Sequence, residues 1–176
     1  YVLSDALKSM QQLAQVDHLT DICNRRQFTV NAIKRFDQPG PASLIAIKID
    51  DFERFKETYG HGAGDQVLRD VAKTLSSQLK DRTLFGRTGN GEFMVFLSAS
   101  ETTAKARAEE LRTAISARSY QFGTTCVTVT ATFVVAQRGP GDGSFGLLQT
   151  RTESKMHNSI GNNNRIHIAD RRAVTA

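Results

Sequence analysis

The sequence contains no tryptophan, only three prolines and only two cysteines among its 176 residues. Because Trp is absent and Phe occurs ten times, we expect phenylalanine to fill much of the core. Cys23 and Cys126 lie far apart, which excludes a Cys-x-x-Cys motif. We therefore expect two buried, reduced thiols in a reducing, cytosolic environment.

Long apolar runs are also absent. The longest candidates, such as residues 43–49, are far too short to span a bilayer, and no signal peptide is visible. We expect no membrane contact by this segment and a cytoplasmic location. The chain begins at Tyr1 rather than at Met, so the cytoplasmic end of a membrane-anchored protein stays open as an alternative.

Charge of either sign is moderate, with a net charge of +5 and a sequence pI near 9.5. This excess is small for the length, and no basic run with interleaved aromatic residues is present. We therefore do not expect a nucleic-acid-binding protein. The hydrophobic fraction of 39% and the mean hydropathy of −0.35 are typical of a globular domain.

Hydrophobic periodicity predicts the order of elements along the chain. It indicates helices over residues 1–16, 25–36, 63–79 and 145–159, another around 104–115, and helical spacing of Phe52, Phe55 and Tyr59. Strands are predicted over residues 43–49, 82–87, 93–97, 125–135 and 165–169, and a glycine-rich turn over residues 60–64. This order predicts an α/β (α+β) fold, a central mixed β-sheet with one β-hairpin, covered by helices. The domain is expected over residues 17–170, after a lead-in helix (1–16) and before a tail (171–176).

Residues 87–93, Arg-Thr-Gly-Asn-Gly-Glu-Phe, separate two of the predicted strands. Asn-Gly between apolar runs is the strongest local signal for a hairpin, because both central residues of a type I′ turn need positive φ. The sequence therefore predicts a tight type I′ turn at Asn90 and Gly91.

Three segments resemble the GGDEF (diguanylate cyclase) family. Residues 17–28 (DHLTDICNRRQF) are similar to its D-x-L-T-x-L-x-N-R-R-x-F entry motif, and residues 87–93 to R-x-G-G-D-E-F. Residues 49–68 (IDDFERFKETYGHGAGDQVL) resemble its most specific block. The resemblance implies a nucleotidyl-cyclase-like palm, whose active members join two GTP molecules into cyclic di-GMP at the interface of two domains. This phosphoryl transfer requires divalent metal.

The chain departs from the family at the metal ligands. Lys48 occupies the position of an Asp ligand, Gly91 that of the second metal carboxylate, and Asn90 that of the second glycine of the motif. Two acids are lost and one base is gained, so the local formal charge rises by three units. We therefore expect the Mg²⁺ site to be lost, with no cofactor and no catalytic residue. The vestigial active-site positions are Lys48, Ile49, Asp50, Gly89, Asn90, Gly91 and Glu92.

The nucleotide-binding positions have also changed. Lys56 replaces the Asn that reads guanine in the family, and its partner Asp survives as Asp65. The family's phosphate-contacting Lys aligns with Asn158, and the Arg of the same segment aligns with Asn162. The product-binding R-x-x-D motif falls at Lys80 and Thr83 and is absent. The candidate remnants of the nucleotide site are Phe52, Lys56, Asp65, Asn158 and Asn162.

Several of these residues also have structural interpretations. Glu92 is either a vestige of the turn or an ion-pair partner of Lys48 or Lys56. Asp50 is expected to make a polar contact at the strand end, and Asp65 to favour the start of a helix through the macrodipole. The alternatives are a phosphate contact for Lys48 and a guanine contact for Asp65.

Three further sets of residues receive structural interpretations. His61 is expected to be a hydrogen-bonding turn residue rather than a catalyst. Arg25 and Arg26 are expected to tether the lead-in helix through ion pairs. Phe52 and Phe55 are expected to lie in the core.

The leading hypothesis is a catalytically inactive GGDEF-like domain. It would act as a regulatory or protein-interaction module in cyclic di-GMP signalling, with protein partners, and would transmit through residues 1–16. The alternative is an allosteric domain that binds GTP weakly without turning it over, and an active diguanylate cyclase is the least favoured interpretation. A homodimer stays open.

Overall fold

The computed structural model describes residues 2–171, without the side chains of residues 11–13. Tyr1 and all but the first residue of the predicted tail lie outside the described residues. The helices are α1 (Val2–Leu13), α2 (Arg25–Phe36), α3 (Phe52–Tyr59), α4 (His61–Gln78), α5 (Glu101–Ser116) and α6 (Phe145–Asn158). The strands are β1 (Ser43–Ile49), β2 (Leu84–Gly89), β3 (Glu92–Leu97), β4 (Ser119–Phe122), β5 (Thr125–Thr128), β6 (Ala131–Gln137) and β7 (Ile166–Ile168).

Five strands form the central sheet, in the order β2-β3-β1-β6-β7. All neighbours are antiparallel except β6 and β7, which are parallel, so the sheet is mixed as predicted. The central strand β1 is apolar along almost its whole length because both of its faces are covered.

Each face of the sheet has its own core. Ile45, Ile47 and Ile49 point to the side packed by α3, α4 and α5. Leu44 and Ala46 point to the opposite side, which α2 and α6 cover. Phenylalanine supplies much of the buried volume, as predicted, with four rings fully buried: Phe28, Phe93, Phe96 and Phe133.

The lead-in helix ends at Leu13, three residues before the predicted end. The chain there enters a small antiparallel bridge between Val16 and Cys23, in which the Asp17 amide donates to the Ile22 carbonyl over 2.7 Å. A bridge needs extended backbone, so the helical pattern cannot continue through Val16.

The predicted turn over residues 60–64 is reduced to Gly60, and the helix predicted from residue 63 begins two residues earlier. Gly60 alone, with φ of +91°, separates α3 from α4, and α4 begins at His61. Gly64 is buried in α4, and a Cβ there would lie 2.6 Å from Lys56 Cγ. Close packing against α3 therefore outweighs the low helix propensity of glycine at this position.

The single strand predicted over residues 125–135 is two strands. β5 pairs with β4 in a separate two-stranded sheet, and only β6 joins the central sheet. The break lies where the Thr130 carbonyl accepts from the Asp50 amide over 2.9 Å, which ties this point to the end of β1. The β4–β5 hairpin was not predicted.

Both cysteines are free, but only Cys23 is even partly buried. Burial raises the pKa of its thiol. The prediction of two buried thiols is wrong for Cys126, because β5 lies outside the central sheet and turns alternate residues to solvent. Among the described residues, no helix combines the length and the apolar character that crossing a membrane requires.

Candidate functional site

The site begins at the end of β1, where the strand meets the β2–β3 turn. Lys48 and Glu92 are direct cross-strand partners, and Lys48 Nζ lies 3.5 Å from Glu92 Oε1. Both side chains are more than a third exposed, so the pair is loose and solvated. Of the two partners considered for Glu92, the structure gives Lys48.

The turn itself differs from the predicted type I′ geometry. Asn90 and Gly91 connect Gly89 to Glu92, but only Gly91 has a positive φ, at +72°. The strand register shifts between Arg87 and Gly89, and this bulge takes up the twist that a type I′ turn would supply. The prediction of a two-residue Asn-Gly hairpin is correct, and the predicted turn type is wrong.

Gly91 is in close contact with two neighbouring residues, Ile49 and Phe52. The Ile49 amide donates to the Gly91 carbonyl over 2.9 Å, which holds the turn against the end of β1. A Cβ on Gly91 would lie 2.8 Å from Phe52 Cδ1. Positive φ and the Phe52 ring together favour glycine at this position.

Asp50 makes the polar contact expected at the strand end. Its two carboxylate oxygens accept from Thr132 Oγ1 and Thr130 Oγ1, each over 2.6 Å. The Asn164 amide donates to the same carboxylate over 2.8 Å. Asp50 therefore joins β1 to β6 and to the segment before β7.

Lys56 is held within its own helix. Its Nζ lies 2.9 Å from Glu53 Oε1 and 5.2 Å from the centre of the Phe52 ring. Glu53 also accepts from Asn90 Nδ2 over 2.5 Å, and only 13% of the Lys56 side chain is exposed. Lys56 is therefore not the partner of Glu92, and the buried Phe52 is core, as expected.

The remaining candidate positions are more dispersed. Asp65 is half-buried in the second turn of α4, so the macrodipole interpretation is wrong for it. Asn158 ends α6 and Asn162 follows it, both exposed. His61 is exposed as the first residue of α4, rather than in a turn.

Two arginines connect the site to the elements around it. Arg25 donates to Thr88 O over 3.0 Å and to Glu153 over 2.9 Å, so it ties α2 to β2 and α6. The expected tether to the lead-in helix is wrong for Arg25. Arg87 instead binds Asp17, just after that helix, at 3.1 Å.

Several residues that contribute to this site were not predicted from the sequence. Asn163 Nδ2 donates to Asp51 Oδ2 over 2.8 Å, and Thr130 and Thr132 hold Asp50. Asp51 has a positive φ of 52°, which is uncommon outside glycine. The asparagine run at residues 162–164 was the available signal, since Asn is enriched where the chain turns sharply.

Comparison with known proteins decides the family. The model described as "Diguanylate cyclase, GGDEF domain" matches residues 14–158. The chain belongs to the GGDEF family. It is 31% identical over 150 residues to diguanylate cyclase VdcA of Vibrio cholerae, covering 83% of this chain and 44% of VdcA.

A second relative of the GGDEF domain is response regulator PleD of Caulobacter vibrioides, 33% identical over 159 residues, covering 86% of this chain and 35% of PleD. The chain thus spans less than half the length of these curated relatives. Among solved structures it is similar to the GGDEF domain of DgcB from Caulobacter crescentus in complex with c-di-GMP, with a TM-score of 0.83 and 26% identity. That match covers 89% of this chain and 94% of the DgcB chain and agrees with the predicted fold class.

Proposed function

We propose that this GGDEF domain does not cyclise GTP and acts as a regulatory module in cyclic di-GMP signalling. The observation that carries the proposal is Lys48, which stands where the family resemblance implies a metal carboxylate and whose Nζ lies 3.5 Å from Glu92 Oε1. An ammonium group at such a position repels a divalent cation and has no lone pair to donate.

The donor set at these positions does not fit Mg²⁺. Magnesium requires oxygen ligands in near-octahedral geometry, and Gly91 supplies no side chain. Asp50, the acid that directly follows β1, already accepts three hydrogen bonds.

The position at which the family reads guanine, occupied here by Lys56, supports the same proposal. The Lys56 stem packs on Gly64, and its ammonium group is satisfied by Glu53 and the Phe52 ring. A nucleotide base would have to displace this buried stem, which the family's shorter Asn does not require. Neutral Asn158 and Asn162 stand where the family resemblance implies two cations, of which the first contacts a phosphate.

GTP turnover tests the proposal directly. The domain is incubated with GTP and Mg²⁺ or Mn²⁺ at high protein concentration, and products are separated by chromatography. The Vibrio cholerae domain solved as an active GGEEF domain serves as a positive control. We expect no cyclic di-GMP above the enzyme-free level, and formation that depends on the protein would refute the proposal.

An alternative proposal is that the domain binds GTP without turning it over. Lys48 lines two adjacent cavities near α6, and it would contact a phosphate there. Neither cavity is lined by Lys56 or Asp65, so the three residues do not share one cleft, which weakens this alternative. Calorimetry with GTP, alone and with Mg²⁺, distinguishes the two, since the leading proposal expects no heat of binding.

The regulatory role rests on the family and on what the fold retains. The domain keeps its central sheet, both hydrophobic cores and the ion pair between Asp17 and Arg87. It keeps them although the residues at the positions of the family's metal ligands are replaced. We propose that it acts through protein partners and that the lead-in helix α1 carries the signal. A charged residue placed in the apolar face of α1 tests whether this helix carries the signal.

A further inference from the structure

A cavity of about 290 Å³ lies between the central sheet and α6. Ala46 in β1 and its cross-strand partner Met94 in β3 form its floor, and Met156 of α6 lies across from them. Ala46 places a small side chain where the strand passes beneath α6. It opens on the sheet face opposite to α3 and α4, which carry Lys56 and Asp65.

Two ion pairs border the opening. Lys48 and Glu92 lie 3.5 Å apart, and Arg25 Nη2 and Glu153 Oε1 lie 2.9 Å apart. All four side chains line the cavity and are between 38% and 53% exposed. The rim thus offers donors and acceptors while its formal charge is zero, counting His157 as neutral.

The interior has the opposite character. Met94 and Met156 are both at least nine-tenths buried, and their thioethers are flexible, polarisable groups that pack well against aromatic rings. Ile160, also on the cavity wall, is 61% exposed, a large apolar side chain left in water at the opening. A ligand that covered Ile160 would remove this apolar surface from water.

We propose that this cavity binds a flat, uncharged heterocycle of about purine size that has both donors and acceptors on its edge. The apolar floor fits the ring faces, and the two ion pairs fit the polar edge. A simple anion fits less well, because Lys48 and Arg25 are already paired with Glu92 and Glu153 and the rim carries no net positive charge. The inference goes beyond the proposed loss of cyclisation, and its test does not depend on GTP turnover.

The methionines provide the measurement. The chain has three, of which Met94 and Met156 line the cavity and Met10 lies in α1, outside it. Protein labelled with ¹³C at the methionine methyl groups is titrated with adenosine, guanosine, benzoate and inorganic phosphate, each up to millimolar concentration. We expect the purine nucleosides to shift the Met94 and Met156 signals in a saturable way and to leave Met10 unchanged.

Two variants connect the shifts to the cavity. Glu153→Ala removes one acceptor from the exposed rim, and we expect nucleoside binding about tenfold weaker. Glu110→Ala is the matched control, because Glu110 is also an exposed, ion-paired residue on a helix, and binding is expected to be unchanged. Ala46→Leu fills the floor and should abolish binding, and if it fails to fold, Glu153→Ala decides the test.

Three results would overturn the inference. The first is no shift at Met94 and Met156 with either nucleoside. The second is a shift of Met10 as large as theirs, which indicates non-specific association. The third is a stronger response to benzoate or phosphate than to the nucleosides, which indicates an anion site.

Discussion

At Gly91, backbone conformation and side-chain packing together disfavour any residue larger than glycine. Its φ of +72° is unfavourable for most side chains, and the Phe52 ring fills the space that a Cβ needs. Gly123 provides a comparison, because it has a φ of +58° and no atom within 4 Å of a Cβ position.

We expect Gly91→Ala to cost about 1–3 kcal/mol more folding free energy than Gly123→Ala, because only the first substitution adds a clash to the backbone strain. Urea denaturation of both variants and the wild type measures the difference. Equal destabilisation would mean that Phe52 moves aside freely and does not restrict the turn.

A second prediction at this scale concerns acids restored at the two positions where the family resemblance implies metal ligands. We expect Lys48→Asp with Gly91→Asp to increase Mg²⁺ binding but to restore little cyclisation, because Lys56 and Asn158 remain and the new side chain in the turn would press on Phe52. Metal titration and GTP turnover of the double variant measure the two effects separately. Full cyclase activity would show that the other departures are unimportant.

Asp17 gives a third prediction, on pH. Burial alone would raise its pKa, but hydrogen bonds from Thr20 and the charge of Arg87 outweigh it, so the pKa of this carboxyl lies below its usual value. As pH falls below the usual Asp value of about 3.9, the unfolded chain takes up the proton first, so this contribution to stability is lost. It is fully present above that pH.

We therefore expect the difference in Tm between the wild type and Asp17→Asn to be largest near neutral pH and to shrink as pH falls below about 4. Thermal unfolding across this range measures it. Asp81→Asn, at an exposed acid, is the control. A difference that stayed constant with pH would contradict the role given to the Asp17 charge.

Helix α6 carries a buried arginine that joins three elements. Arg151 binds the fully buried Asp142 carboxylate over 2.6 Å and donates to the carbonyls of Gln137, Ala169 and Asp170. It thereby fixes the end of β6, the loop before α6 and the segment after β7. Such a pair contributes mainly by satisfying groups that would otherwise be buried without partners.

Arg151→Met is expected to destabilise the domain by about 3–5 kcal/mol, because it leaves the Asp142 carboxylate buried without its cation. Arg107→Met, at an exposed pair with Glu110, should cost about 0–1 kcal/mol. Denaturant titration of both variants measures the two costs. Similar values would contradict the structural role of the buried pair.

At the scale of the whole molecule, the described side chains of α1 present an exposed apolar face. Val2, Leu3, Leu7 and Met10 are all more than half exposed. Leu3, Leu7 and Met10 follow spacings of four and three residues, as in a two-stranded coiled coil. A second copy of α1 would bury this face, which favours the homodimer that the sequence left open.

We expect concentration-dependent dimerisation in solution that Leu7→Glu weakens, because a charge would enter the apolar seam. Light scattering after size-exclusion chromatography measures it. The control is Leu147→Glu, which changes an exposed leucine on α6 rather than on α1 and should leave the dimer intact. A chain that stays monomeric at all concentrations would exclude this use of α1.

The elements with a strong apolar period were predicted from the sequence almost to the residue, as α2 and β1 show. The errors occurred where tertiary contacts override local preference. The helical Gly64 packs on Lys56, and the break before β6 forms where Thr130 binds Asp50. Hydrophobic periodicity signals neither contact, because Gly64 and Lys56 lie on different helices and Thr130 and Asp50 are 80 residues apart.

The sequence by itself determined the family and the mixed sheet, because the first depends on motifs and the second on periodicity. The tertiary structure decided the ion-pair partners: Lys48 rather than Lys56 for Glu92, and Glu53 for Lys56. It alone revealed the cavity above Ala46. Partners and cavities depend on which side chains from distant segments converge, and convergence is a property of packing that one-dimensional spacing does not contain.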